Sequence, residues 1–130
     1  MIVHQHDALI TLSALGSLTG FESLGIVDNR SLTSLAGLDH LTTVGGSLYV
    51  SGNPSLTSLA GLDRLTTVGG TLEFFDNDSL TTLDALASLT RVTGSFTLLD
   101  NAALTSLAGL DGLTGGGGDL NLVYWDASYG

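Results

Sequence analysis

The side chains that could do chemistry in this chain are few, and their spacing argues against most reactions. His4, His6 and Asp7 spell His-x-His-Asp, a string of the kind that opens metallohydrolase sites, but the only other histidine is His40 and the remaining ligands are missing. Cysteine is absent, which removes thiolate nucleophiles, zinc knuckles and disulfides together. Glu22 and Glu73 are the only glutamates, and the aspartates recur at equivalent places: Asp28, Asp76 and Asp100 in one series, Asp39, Asp63 and Asp111 in another. A carboxylate pair that divides acid from base work needs two different environments, and repeated equivalent aspartates supply the opposite. Carboxylates on neighbouring coils would repel by about 1 kcal/mol in water, a cost that a cation such as calcium would relieve. Gly52 and Ala87 interrupt the two series, however, and no EF-hand or Gly-Gly-x-Gly-x-Asp spacing is present, so solvated acidic rims are the better reading. Serine and threonine are plentiful, yet no Gly-x-Ser-x-Gly elbow or plausible buried base accompanies them. The expectation is no enzyme, no metal and no cofactor.

The frame that must position these residues is an internal repeat. Asn29, Asn53, Asn77 and Asn101 are spaced by 24, and around them the text recurs, as in Ser31–Asp39, Ser55–Asp63 and Ala103–Asp111. Before them Leu9, Leu12, Leu15, Leu18 and Phe21 match Leu32, Leu35, Leu38, Leu41 and Val44 at an offset of 23, which returns to 24 at Leu24 and Ile26, so one residue is missing near Glu22. The reading is a single solenoid domain over 1–130: an irregular N-terminal coil 1–28, regular coils 29–52, 53–76 and 77–100, and a C-terminal coil and cap 101–130, about five coils in all. Gly115–Gly118 break the last repeat, and Trp125 and Tyr129 read as capping aromatics.

Two apolar periods coexist in each coil. Leu56, Leu59, Leu62, Leu65 and Val68 follow a step of three, which drifts by roughly 60° per step on an α-helix, so short turns, 3₁₀ pieces or bent extended segments are expected instead. The period then drops to two at Leu48/Val50, Leu72/Phe74, Phe96/Leu98 and Leu120/Leu122, the mark of half-buried strands. Parallel strands are predicted at 47–51, 71–75, 95–99 and 119–123, one per coil in one sheet, each entered through a turn at Gly45-Gly46, Gly69-Gly70 or Thr93-Gly94 where glycine permits positive φ. An asparagine at one bend of every coil suits a ladder that satisfies backbone N–H and C=O groups. Two threonine series, Thr33/57/81/105 and Thr42/66/90/114, suit turn hydrogen bonding; without a Thr-x-Thr strand pair they are poor candidates for ice binding.

The pattern Val44-x-Gly46-x-Leu48-x-Val50-x-x-Asn53-x-x-Leu56-x-x-Leu59-x-x-Leu62-x-x-Leu65-x-x-Val68-x-Gly70 resembles the leucine-rich receptor L domain of growth-factor and insulin receptors, and the bacterial and fungal cell-surface proteins built from the same repeat. The resemblance implies a mainly β, right-handed solenoid related to leucine-rich repeats, a role in protein recognition or surface architecture, and an extracellular or cell-surface setting. The receptor versions carry cysteines and long irregular loops that this chain lacks, so the resemblance transfers no ligand.

Charge narrows the partners. Thirteen acidic residues against three arginines and no lysine give a net charge of -10, which leaves phosphates without their cations and argues against nucleic acid and anionic membranes. No apolar run is long enough to span a bilayer, and the opening Met-Ile-Val-His-Gln-His-Asp lacks the basic and long apolar regions of a signal peptide. With Leu48/Val50 and their equivalents inward, Tyr49, Glu73, Thr97 and Asn121 form one outward column, and Ser51, Phe75, Leu99 and Val123 the next. These outward residues are the candidate binding site for a protein partner. The alternative is self-assembly into a filament or surface array by stacking of solenoid ends.

Overall fold

A leucine every third residue can face one core only if the backbone also turns once every three residues, and the hydrogen bonds do this. In a computed structural model of the chain, which describes residues 16–113 together with the strands at 2–4 and 120–121, the N–H of Leu56 donates to Asn53 C=O, that of Leu62 to Leu59 C=O and that of Leu65 to Leu62 C=O, at 3.0–3.1 Å. The equivalent bonds recur in the neighbouring coils. Each is an i→i+3 closure of the 3₁₀ type, in which residues i and i+3 eclipse, so the leucines line up on one side.

The straight parts of the coils are strands. β1 (Ile2–His4), β3 (Leu24–Val27), β5 (Leu48–Ser51), β7 (Leu72–Phe75), β9 (Phe96–Leu99) and β10 (Leu120–Asn121) form one six-stranded sheet in that order. All its pairings are parallel, with 24-residue register from β3 through β10, as in Leu48↔Leu72↔Phe96. The predicted strands therefore stand, one residue shorter at the start, and β10 is described over two residues. The alternation missed two things. β1 and β3 extend the sheet on the N-terminal side, and a second parallel sheet of two-residue strands, β2 (Gly20–Phe21), β4 (Thr43–Val44), β6 (Thr67–Val68) and β8 (Arg91–Val92), runs along another side. The molecule is a mainly β solenoid whose described residues include almost no helix.

The core is a column of side chains between the sheets and the turns. Leu48, Val50, Leu56, Leu59, Leu62, Leu65 and Val68 have no exposed surface, and their equivalents in adjacent coils join them in one cluster. Phe74 and Phe96 meet in it with ring centroids 6.2 Å apart at 57°. The one short 3₁₀ helix among the described residues, Asp84–Ser88, has a local cause. Gly37, Gly61 and Gly109 occupy the ninth place of their coils at φ of 105–115°, a conformation closed to side chains, and the coil at 77–100 has Ala85 there and winds into a helix instead.

The glycines expected to supply positive φ, Gly45-Gly46, Gly69-Gly70 and Gly94, do not; among the described residues the positive φ angles fall at Gly37, Gly52, Gly61, Gly109, Asp28, Asp76 and Asp100. The paired glycines serve proximity. A Cβ on Gly69 would collide with the Gly45 carbonyl of the preceding coil, and one on Gly94 with the Gly70 carbonyl 2.6 Å away. The expected cap around Trp125, the glycine run 115–118, and Val123 lie outside the described residues.

Candidate recognition surface

The asparagine series holds the inner edge of the outer sheet. Asn29, Asn53 and Asn77 are fully buried and Asn101 nearly so. The Asn53 Nδ2 donates to Ile26 C=O at 2.9 Å, to Ser51 C=O at 3.1 Å and to Asn77 Oδ1 at 3.2 Å, while Asn53 Oδ1 accepts the Asn29 N–H at 3.0 Å and Asn29 Nδ2 at 3.2 Å. Asn77 and Asn101 repeat the pattern on Val50 and Phe74 carbonyls. The ladder stitches the end of one strand to the next coil, which makes these residues structural. Threonine does similar work elsewhere: Thr66 Oγ1 donates to Thr42 C=O at 3.0 Å and Thr90 Oγ1 to Thr66 C=O at 3.2 Å, with Thr57 and Thr81 alike in the other series. These bonds run between coils and not within turns, a correction to the expectation for threonine.

With Leu48, Val50 and their equivalents held inward, the intervening residues face out. Register pairs Tyr49 with Glu73, Glu73 with Thr97 and Thr97 with Asn121 in one column, and Ser51 with Phe75 and Phe75 with Leu99 in the next. The structure thus brings Tyr49, Glu73, Phe75, Thr97 and Leu99 together on one face and places Asn121 at the register position next to Thr97, while Val123 lies outside the described residues. Tyr49 is 39% exposed, among the most exposed large apolar residues described, and Glu73, Phe75, Thr97 and Leu99 are half-buried. The sequence pattern did not single out Val27, which pairs with Ser51 and extends the second column, with His4 at the next register position. The 24-residue offset at Leu24 and Ile26 was the signal for it. His6 and Asp7 lie outside the described residues, and among the described residues no three His, Cys, Asp or Glu side chains gather to hold a metal ion.

Immediately past the second column, the chain leaves the sheet through a left-handed residue: Asp28, Gly52, Asp76 and Asp100, with φ of 56–67°. Aspartate tolerates this conformation and glycine adopts it freely, so Gly52 is no gap in an ion site but the same backbone requirement met by another residue. The Asp28 carboxylate leans into the space beside Gly52 that a Cβ would fill. Although Asp76 is mostly exposed, its carboxyl is raised above its ordinary value, first by partial loss of water and then by repulsion from Asp78, Asp100 and Asp28. The surface therefore offers an aromatic and polar column, an apolar column and an acidic row side by side. No described helix is long and apolar enough to cross a membrane. Compared with protein-family models, curated proteins and solved structures, the chain matches none.

Proposed function

We propose that the chain is a non-catalytic recognition or adhesion module that presents the outer face of its six-stranded sheet to a protein partner. The observation that carries this reading is the register that lays Tyr49, Glu73 and Thr97 beside Val27, Phe75 and Leu99, with no other element of the described residues packed across them as a strand or helix. Solenoids bind through such extended faces, and an apolar strip rimmed by polar groups marks an interface. Burying Tyr49, Phe75 and Leu99 at a partner contributes a few kcal/mol at about 25 cal/mol per Å², before association entropy is subtracted, so rim contacts must supply the rest. In this reading the rod comprises about five right-handed coils of the leucine-rich, receptor L-domain type and works outside the cell or on its surface.

The test is a binder selection from a displayed library on the parent chain, followed by measurement on the double variant Phe75→Ser/Leu99→Ser and on Tyr49→Ala. Binders should lose affinity on these variants while the thermal midpoint of the double variant stays near that of the parent. Binders spread over all faces, or a double variant that melts, would overturn the assignment.

One observation favours a second reading: β1 and β10, the outermost strands, each pair on one side only among the described residues. Self-assembly by end-to-end stacking would use those edges. Sedimentation that shows mass growing with concentration, unaffected by Phe75→Ser/Leu99→Ser, would favour it.

A further inference from the structure

In the second column each apolar residue among the described residues is followed by an acid: Val27 by Asp28, Phe75 by Asp76, Leu99 by Asp100. The left-handed backbone at all three aspartates ends the strand at the same height in its coil, so Asp76 and Asp100 stand on adjacent coils at the border of the apolar column, with Asp28 beyond the coil that has Gly52 there. Asp78 stands two residues on, and Glu73 borders the column from its other side. The cations of the chain are mostly elsewhere: Arg91 belongs to the second sheet and Arg64 to a turn, leaving Arg30 beside the Asp28 end of the row. At the Asp76 carboxyl, partial loss of water acts first and repulsion from Asp78, Asp100 and Asp28 follows.

We propose, resting on the strand-face reading above, that the partner is a cationic protein segment whose lysines or arginines pair with Asp76 and Asp100 while its apolar side chains cover Phe75 and Leu99. Charge complementarity selects this occupant. A second copy laid face to face would set two acidic rows against each other, each on a chain of net charge -10. An anionic lipid surface meets the same repulsion. A neutral apolar partner would cover the stripe but leave the row facing its rim without counter-charge.

The experiment uses a phage-displayed library of random 12-residue peptides, selected on the full chain at low salt and ranked by net charge. Selected peptides are then measured on three double variants: Phe75→Ser/Leu99→Ser, Asp76→Asn/Asp100→Asn, and Asp39→Asn/Asp63→Asn, the last removing equal charge from the turns. The proposal expects net-positive peptides that weaken about tenfold on Asp76→Asn/Asp100→Asn, the loss of two rim ion pairs. The same peptides should weaken on Phe75→Ser/Leu99→Ser, stay nearly unchanged on Asp39→Asn/Asp63→Asn, and bind less as salt rises. Equal weakening on Asp39→Asn/Asp63→Asn would reduce the effect to net charge and overturn the proposal. Neutral or acidic peptides that depend on Phe75 and Leu99 but not on Asp76 and Asp100 would overturn it while leaving the strand-face reading standing. Peptides indifferent to Phe75→Ser/Leu99→Ser would overturn both.

Discussion

Replacing Asn53 by alanine tests whether the buried amide ladder holds the coils together. The substitution removes a side chain with no exposed surface and five hydrogen bonds, but the partners do not suffer equally. Ser51 C=O still accepts from the Asp28 N–H at 2.9 Å, and Asn77 Oδ1 still accepts from the Asn53 backbone N–H at 3.1 Å. The Asn29 N–H and Asn29 Nδ2 lose the acceptor at 3.0 and 3.2 Å, and the Ile26 carbonyl loses the bond at 2.9 Å but keeps its place in the ladder between β3 and β5. At about 1–3 kcal/mol for the buried Asn29 N–H and about 0.5–1.5 kcal/mol for the bond lost at the Ile26 carbonyl, the loss is about 1.5–4.5 kcal/mol. With a urea slope of about 1–3 kcal/mol per molar, a loss near the middle of that range lowers the unfolding midpoint by about 1–3 M with the slope unchanged. The Asn53→Asp variant separates hydrogen bonding from volume. It keeps the acceptor toward Asn29 but turns an oxygen toward Ile26 C=O, Ser51 C=O and Asn77 Oδ1, so at pH 7 it should be worse than alanine. Burial and those oxygens raise the folded-state pKa of the introduced carboxyl above its unfolded value, so its deficit shrinks as pH falls through that window, whereas the alanine deficit does not. An alanine variant within about 0.5 kcal/mol of the parent, or an aspartate variant whose deficit ignores pH, would refute the ladder as a source of stability.

Leu62→Asp should abolish cooperative unfolding near the parent midpoint, because it places an unpaired carboxylate at a position with no exposed surface between coils; circular dichroism on heating reads the result. Gly61→Ala should cost about 2 kcal/mol or more, since its φ is 115° and a Cβ would strike the Leu35 carbonyl, while Gly45→Ala, whose Cβ meets only the Phe21 carbonyl at 3.8 Å, should stay close to the parent in the same denaturation assay. Asp76→Asn should be more stable than the parent at pH 7 by at most about 1 kcal/mol, the range of exposed charge pairs. Because the Asp76 carboxyl is raised in the fold, the folded chain binds its proton more tightly, so the parent gains stability as pH falls toward 3.8 and the advantage of the variant vanishes below it, as paired melts across pH would show.

Strands β5, β7 and β9 were legible because an apolar period of two matches the pleat of a half-buried strand and no helix, and the same alternation placed Tyr49, Glu73, Phe75, Thr97 and Leu99 on one face. The second sheet was not legible. In two-residue strands such as Thr67–Val68, the one inward residue also completes the run of threes from Leu56, so the strand borrows its signal from the preceding turns. β1 was hidden by the missing residue near Glu22, which shifts its register from 24 to 23, as in Ile2↔Gly25. Positive φ was expected at glycine pairs and found mainly where glycine and aspartate exchange in one series. That exchange was visible in the sequence, but it resembled an interrupted ion site because both readings favour aspartate. The half-burial of Phe75 and Leu99 is a property of neighbouring side chains, which alternation along one strand does not encode.

The place where the missing residue is absorbed says how such a protein can be lengthened or decorated. Gly20 and Phe21 pair with Thr43 and Val44 at an offset of 23, yet three residues later Leu24 pairs with Leu48 at 24. The deletion is therefore taken up wholly in the corner between the two sheets, while the strands on either side keep register. Gene duplication in units of 24 keeps the register of the ladders, whereas a change of length is absorbed at the first corner, at Glu22 and Ser23, and not at its equivalents Gly46, Gly70 and Gly94, which lie against the preceding coil. An engineer wishing to graft a reporter loop or a second epitope would choose the first corner, where Glu22 and Ser23 are exposed and a change of length is already accommodated.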